Sequence, residues 1–331
     1  MAIKFKIQNL KLKNINCFGR IGILMGGPST EREISLKSGK AVYENLSRIG
    51  LNTVAIDIET DKIEENIRLI KSQEIDLAFV ALHGRFGEDG QIQELLDTLK
   101  IPYTGSGVMA SRLAMDKIAS RRIFEAHGLN VPKYKIEDRF SYNTNWEIHN
   151  NNFSFPLVVK PATHGSSIGL SIVDGKEDLA KAVNLAFSFD EKIIIEEYIK
   201  GREVTVGILA EKPLPVIEII PKKRFFDYEA KYQVGMTNYI VPAKLEDAVS
   251  KKIQEAALLA HKLLGCFGCS RVDMILSQDN IPFVLEVNTI PGLTETSLLP
   301  KAAKVVGIDF AQMCIKLLQL AYDKAQNKSG D

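Results

Sequence analysis

Residues 270–297 read SRVDMIL, then a polar turn SQDN, then IPFVLEVNTIPGLTETS. Two apolar, partly β-branched runs joined by a short polar turn predict a β-hairpin. Side chains alternate along a strand, so Arg271 and Asp273 share one face, and Glu286 and Asn288 share one on the returning strand. Where those faces coincide, a guanidinium, two carboxylates and an amide meet beside an apolar core. Hard oxygen ligands of this kind suit Mg²⁺, which takes carboxylates together with substrate phosphates. A surface hairpin with salt-bridged strands is the competing reading. Four matching polar positions followed by a Pro-Gly loop favour the site.

The bulk properties narrow the setting. A chain of 331 residues is long for one core and predicts two or three domains. With 45% hydrophobic and 25% charged residues it has the composition of a soluble globular protein, and its net charge of +1 gives no reason to expect nucleic acid or an acidic membrane as partner. No apolar run reaches the ~20 residues needed to span a bilayer. The N-terminal stretch alternates lysines with apolar residues and lacks the apolar block of a signal peptide, so residues 1–18 read as an extension or an added edge strand. Cys17, Cys266, Cys269 and Cys314 are too few and scattered for a disulfide framework. The lone CFGC (266–269) has no second pair, which argues for packed thiols rather than zinc. A cytoplasmic location is expected.

From residue 20 onward, strand and helix alternate. RIGILM (20–25) predicts a strand running into GGPST (26–30), and Glu33 stands three residues after Thr30, a capping-box spacing. Val42, Tyr43, Leu46 and Ile49 continue a helix that Gly50 ends. The turn lacks the full GxGxxG and the P-loop Lys-Ser/Thr, so it is neither a dinucleotide fingerprint nor a P-loop. Strands are predicted at Thr53–Ile58, Ile75–Leu82 and Pro102–Thr104. Helices are predicted at Lys62–Lys71, Gln91–Leu99 and from Gly105 to Lys117. The polar, glycine-rich HGRFGEDG (83–90) follows the third strand, at the end where open parallel sheets bind ligands. This pattern predicts a doubly wound parallel domain over residues 19–116.

A small α+β unit follows. PLVVKP (156–161) is a buried strand with a lysine at its end, and THGSSIG (163–169) is a small-residue loop whose N–H groups suit phosphate oxygens. A strand at Ser171–Val173, a helix at Lys176–Phe187 and a strand at Ile193–Glu196 complete it. Further strands are predicted from Glu203 and over Leu214–Ile220. Residues 224–239 are aromatic, charged and aperiodic, which marks a functional lid. A helix over Leu245–Leu264 leads into the hairpin, and Phe310, Met313, Leu317 and Leu320 form a final helical core stripe.

Together GGPSTEREIS (26–35), ALHGRFGEDG (81–90), YTGSGVMAS (103–111), MDK (115–117), VVKPATHGSSIG (158–169), DYEAKY (227–232), RVD (271–273) and EVNTIPGLTETS (286–297) closely resemble the D-alanine–D-alanine ligases. The match runs from about Gly22 to the last helix, in family order and spacing. The resemblance implies an ATP-grasp fold behind an N-terminal parallel-sheet domain. A central unit (117–200) and a C-terminal unit (201–331) would clamp ATP. It also implies ATP-dependent joining of two D-alanine molecules through an acyl phosphate, for peptidoglycan precursor synthesis, in a homodimer. Two Mg²⁺ ions, or Mn²⁺ in their place, would be held by Asp273, Glu286 and Asn288.

The resemblance assigns Lys117, Lys160 and Lys231 to phosphate, with Ser166 and Ser167 in the glycine-rich loop. Glu196, Glu197, Tyr198 and Ile199 would read adenine, and Glu203 the ribose. Glu31 would hold the ammonium of the first D-alanine, hydrogen-bonded with Ser166 and Tyr232, and His83 would lie near that substrate's carboxylate. Arg271 and the Gly292 N–H would stabilise the oxyanion. Ser297 and the Leu298 backbone would bind the second D-alanine. Pro28, Leu293 and His164 depart from the common pattern without touching a chemical role. Two rival readings stand beside this one. Another ATP-grasp ligase would share the metal and lysine positions but not Glu31, Tyr232 and Ser297 together. A non-catalytic nucleotide-binding module would not need the metal carboxylates and Arg271, all of which are intact.

Overall fold

The computed structural model describes residues 15–142, 153–222 and 236–328. The first unit is a parallel sheet in the order β2–β1–β3, made of β1 (Ile21–Gly26), β2 (Thr53–Ile58) and β3 (Leu77–Val80). Every residue of β1 is buried because it is the central strand, which is why its sequence is a continuous apolar run. Helices α1 (Arg32–Arg48), α2 (Ile63–Ser72) and α3 (Gln91–Leu99) connect and flank the strands.

Three local expectations fail here for identifiable reasons. The Thr30–Glu33 capping box does not form. Ser29 Oγ instead accepts the Glu31 N–H at 3.1 Å and donates to the His83 carbonyl at 2.7 Å, and α1 begins at Arg32 without a side-chain cap. Ile49 lies past the end of α1 and is exposed, so it is not part of the core stripe. The expected strand at 102–104 reduces to a single bridge between Tyr103 and Ala78.

The helix predicted from Gly105 to Lys117 is two helices, α4 (Val108–Met115) and α5 (Lys117–Ala126). Asp116 breaks them apart. Its backbone is extended, and its Oδ1 accepts the N–H groups of Ile118 at 2.9 Å and Ala119 at 3.0 Å, the work of an N-cap aspartate.

The middle unit is an antiparallel sheet in the order β4–β7–β5–β6. It contains β4 (Tyr134–Asp138), β5 (Leu157–Pro161), β6 (Ser171–Val173) and β7 (Lys192–Glu197), with α6 (Lys176–Phe189) on its apolar side. Strand β4 was not expected from sequence; its partly buried, charged residues give little alternation to read.

A third sheet runs β11–β10–β8–β12–β13, with β9 (Lys212–Pro213) beside β8 (Gly201–Leu209). Its other strands are β10 (Ile217–Pro221), β11 (Thr237–Ile240), β12 (Cys269–Ser277) and β13 (Pro282–Asn288), and α7 (Asp247–Leu263) covers it. The strand expected from Leu214 begins only at Ile217. Residues 237–239, expected to be aperiodic, belong to β11, where Tyr239 pairs with Ile219. Residues 224–235 of that stretch, with Lys231 and Tyr232, lie outside the described residues.

The chain ends in α8 (Leu298–Val305) and α9 (Phe310–Lys328). On α9, Phe310, Met313 and Leu317 are buried as expected, whereas Leu320 is only partly buried and Leu318 and Ala321 join the core. These helices pack with Val42 and Leu46 of α1, so the first and last parts of the chain share one core. Cys266, Cys269 and Cys314 are free and buried, as the packed-thiol reading requires, and burial pushes the Cys266 and Cys269 thiols up to about 12. Among the described residues, no single helix is long and apolar enough to cross a membrane.

Candidate active site

The hairpin of β12 and β13 brings its polar residues together as the alternation predicted. Arg271 pairs with Asn288 and Asp273 with Glu286 across the ladder. The Arg271 guanidinium grips Asp273 with both ends, Nε to Oδ1 at 2.8 Å and Nη2 to Oδ2 at 2.7 Å. Asp273 also accepts from Thr205 Oγ1 of β8 at 2.6 Å and from Asn288 Nδ2 at 3.1 Å. A buried carboxylate with four donors is held in one orientation. Thr205 was missed from sequence because only the pairing of β8 with β12 brings it beside Asp273.

Two cavities meet along this hairpin. One, of about 410 Å³, is lined by Lys117, Lys160, Ser167, Glu203, Asp273 and Glu286, together with the 196–199 segment. The other, of about 450 Å³, is lined by Glu31, His83, Ser166, Arg271, Asn288, Gly292, Ser297 and Leu298. Asp273 and Glu286 face the first cavity, while Arg271 and Asn288, two residues along each strand, face the second. One face of one hairpin therefore serves both. The loop after β5 does the same: Ser166 lines one cavity and Ser167 the other, both with positive φ (53° and 58°).

In the first cavity, Lys117 Nζ donates to the His164 carbonyl at 2.6 Å and lies 3.6 Å from Glu286. Lys160 Nζ lies 2.7 Å from Glu196 Oε1, and the buried Arg121 guanidinium pairs with the other oxygen of Glu196. Burial lowers the Lys160 ammonium to about 8, with the Glu196 carboxylate opposing and Arg121 adding to the fall. Burial would raise Glu196, but Arg121 and Lys160 outweigh it and hold the carboxyl below its ordinary range. Arg121 escaped the sequence reading. Its signal was its place four residues after Lys117 on α5, which puts both cations on one helix face. The guanidinium also lies over the Tyr134 ring at 5.2 Å. Glu197 Oε1 accepts the Lys133 N–H at 3.0 Å, tying the 196–199 segment to the chain entering β4.

In the second cavity, Ser166 Oγ donates to Glu31 Oε1, joining the middle unit to the start of α1. Gly84 is required beside them: its φ is +71°, and a Cβ there would sit 2.7 Å from Glu31 Oε2. His83 is buried, with Nε2 2.8 Å from Ser38 Oγ and Nδ1 3.1 Å from the Ile290 carbonyl. Burial and the nearby Glu31 raise the Glu88 carboxyl, against the pull of His83. Ser297 Oγ accepts the Thr294 N–H at 3.1 Å, which closes the turn before α8 and places the Leu298 backbone at the cavity wall. Tyr239 also lines this cavity and was not anticipated individually.

Among the described residues, no group of three or more His, Cys, Asp or Glu side chains forms a metal cage. Two carboxylates and an amide, Asp273, Glu286 and Asn288, still fit Mg²⁺, which keeps waters and takes phosphate oxygens for its remaining positions. With its Nδ2 turned to Asp273, Asn288 has its carbonyl oxygen available as a ligand.

A glycine-rich loop and Lys160 on one sheet, with Lys117 at the start of α5, facing a carboxylate-bearing hairpin on another sheet, define a two-sheet, nucleotide-dependent ligase of the ATP-grasp class. Comparison with known proteins narrows this. Residues 59–106 match the family model for the D-ala D-ala ligase N-terminus, and residues 123–319 match that for the C-terminus. A curated D-alanine–D-alanine ligase of Geotalea uraniireducens is 47% identical over 302 residues, covering 91% of this chain and 95% of that protein. The crystal structure of the D-alanine–D-alanine ligase of Bacillus anthracis superposes with a TM-score of 0.83 at 36% identity, over 93% of this chain and 99% of that one. The same enzyme complexed with ATP gives 0.81 at 34% identity, with the same coverage. The chain belongs to the D-alanine–D-alanine ligase family.

Proposed function

We propose that the protein joins two molecules of D-alanine to D-alanyl-D-alanine at the expense of ATP, with release of ADP and phosphate, as a step in peptidoglycan precursor synthesis. The observation that carries this reading is the shared hairpin face, which runs from a lysine-lined cavity at Asp273 and Glu286 to a second cavity, lined by Glu31 and Ser297, at Arg271 and Asn288. A carboxylate is a poor acyl donor, so its oxygen must reach a phosphoryl group, and the two cavities must communicate. Here the residues lining them stand only two apart on each strand, which supports such a route.

On this reading, ATP lies between the middle and third sheets. Lys117, Lys160 and the N–H groups around Ser167 hold its phosphates, the 196–199 segment takes the adenine, and Glu203 takes the ribose. Bound Mg²⁺, or Mn²⁺, would be held by Asp273, Glu286 and Asn288 and would neutralise charge on the transferred phosphoryl group. Glu31, oriented by Ser166, receives the ammonium of the first D-alanine, with His83 nearby. Tyr232 would complete that contact and Lys231 the phosphate site. Ser297 and the Leu298 backbone take the carboxylate of the second D-alanine, placing its amine for attack on the acyl phosphate. Arg271 and the Gly292 N–H then stabilise the tetrahedral oxyanion, and phosphate leaves.

The division into units at about 19–116, 117–200 and 201–331, with a lid at 224–239, belongs to the same proposal. So do cytoplasmic location and assembly as a homodimer, both supported by family membership. The test is phosphate release dependent on ATP and Mg²⁺, measured with D-alanine, with L-alanine and with no amino acid, and with the product identified by mass. Release confined to D-alanine with formation of the dipeptide is expected. Release without amino-acid selectivity, or none while ATP still binds, would overturn the substrate assignment.

A further inference from the structure

The turn Ile290-Pro291-Gly292-Leu293 carries the Gly292 N–H, and both its ends are tied to the first domain through two side chains. Leu293 N–H donates to Ser38 Oγ at 3.2 Å, Ser38 Oγ is 2.8 Å from His83 Nε2, and His83 Nδ1 is 3.1 Å from the Ile290 carbonyl. The three contacts form a ring through residues far apart in sequence, and Ser38, His83, Ile290 and Leu293 are all buried.

For a neutral imidazole, the chemistry of the ring runs one way only. Nδ1 faces the Ile290 carbonyl, which can only accept, and also Glu88 Oε1 at 3.5 Å, so Nδ1 carries the proton. Nε2 then presents a lone pair, so the Ser38 hydroxyl must donate to it. That leaves the Ser38 oxygen free to accept the Leu293 N–H, which can only donate. Each group is used in the role that its neighbour requires.

We infer that Ser38, acting through His83, is a positioning residue that holds the 290–293 turn and so fixes Gly292 at the wall of the amino-acid cavity. The inference rests on the proposed role of the Gly292 N–H at the oxyanion. It also gives His83 a task, since both of its ring nitrogens are engaged with the turn and its support. Residue type is restricted at position 38 because the ring needs one atom that donates and accepts at once. Ser35, one turn earlier on α1, does a different job, donating to the Ala81 carbonyl at 2.8 Å.

The test has two arms on the full chain. Nitrogen-15 spectra of the histidine side chains, with His83 assigned by loss of its signal in His83→Gln, should find the ring neutral with its proton on Nδ1. Ser38→Ala should move the His83 Nε2 resonance and lower kcat about 10- to 100-fold, the range for a misplaced oxyanion donor, while KM for ATP changes less than about twofold. Ser38→Thr, which restores the hydroxyl, should recover most of the loss. A proton on Nε2, or on both nitrogens, overturns the inference, as does a Ser38→Ala enzyme with unchanged kcat. If Ser38→Ala does not fold, the tautomer in the unaltered chain decides alone. If the unaltered chain makes no dipeptide, the proposed function fails, while the tautomer still tests the ring.

Discussion

Lys160 provides the sharpest test of the nucleotide cavity, because its charge is set by the structure at an accessible pH. Burial beside Arg121 brings the ammonium down to about 8 from an ordinary 10.5, with Glu196 limiting the fall. Only the charged form attracts phosphate oxygens. The fraction of free protein competent to bind is then about 90% at pH 7 and about 10% at pH 9, and the apparent dissociation constant scales inversely with that fraction. ATP affinity should weaken about tenfold between these values, with proton uptake on binding above pH 8. Titration calorimetry at pH 7, 8 and 9, in buffers of different ionisation heat, measures both quantities. Lys160→Arg supplies the control, since a guanidinium stays charged throughout. Any contribution from ionisation of ATP itself is common to both proteins and cancels in the comparison. An affinity that is flat from pH 7 to 9, or that falls equally in Lys160→Arg, would refute the reasoning.

Three further outcomes are expected. Arg271→Ala should lower kcat at least about 100-fold, because it removes the proposed oxyanion donor and strips two hydrogen bonds from Asp273; steady-state kinetics with saturating ATP checks this. Arg121→Met should destabilise the fold by about 1–3 kcal/mol in denaturant titration, since one oxygen of buried Glu196 loses its partner while Lys160 still neutralises the carboxylate; no measurable change would contradict the buried pair. His261 is buried between Ser270 and Glu211, and burial lowers its pKa from 6.5 despite the opposing carboxylate. The unfolded chain therefore takes up a proton first, and stability present above pH 6.5 is lost as pH falls below it. Melting curves at pH 7.5 and 5.5 should differ less for His261→Gln than for the unaltered chain.

Elements dominated by one period were legible from sequence. β2 and α3 fall on the expected residues, and the β12–β13 hairpin brings Arg271, Asp273, Glu286 and Asn288 together as their alternation required. What failed was local chemistry with two available outcomes. Asp116 could have continued a helix or capped the next, and its extended backbone chose the cap. Thr30 had the spacing of a capping box, yet Ser29 won because the His83 carbonyl stood within its reach, a contact across 54 positions. The supporting residues of the site were hidden for the same reason. Arg121, Thr205 and Ser38 carry no motif, and each acquires its role only when another sheet or loop arrives beside it.

The distribution of apolar packing explains why the cavities lie where they do. Leu157, Val159, Val183, Ile193 and Ile195 form a core confined to the middle unit. By contrast, Val42 and Leu46 of α1 share a core with Met313 and Leu317 of α9, and Phe124 of α5 shares one with Val272 and Val284 of the hairpin. The first unit, α5 and the third sheet are therefore joined by buried apolar surface. The middle unit meets them through polar contacts: Ser166 with Glu31, Lys117 with the His164 carbonyl, and Glu196 with Arg121. Apolar contact would have sealed this junction, whereas polar groups tolerate water and charged ligands between them. The lysines, carboxylates and hydroxyls of this seam, set among apolar residues such as Val158, Ile172, Ile275 and Leu285, suit the charged nucleotide and amino acids of the proposed reaction.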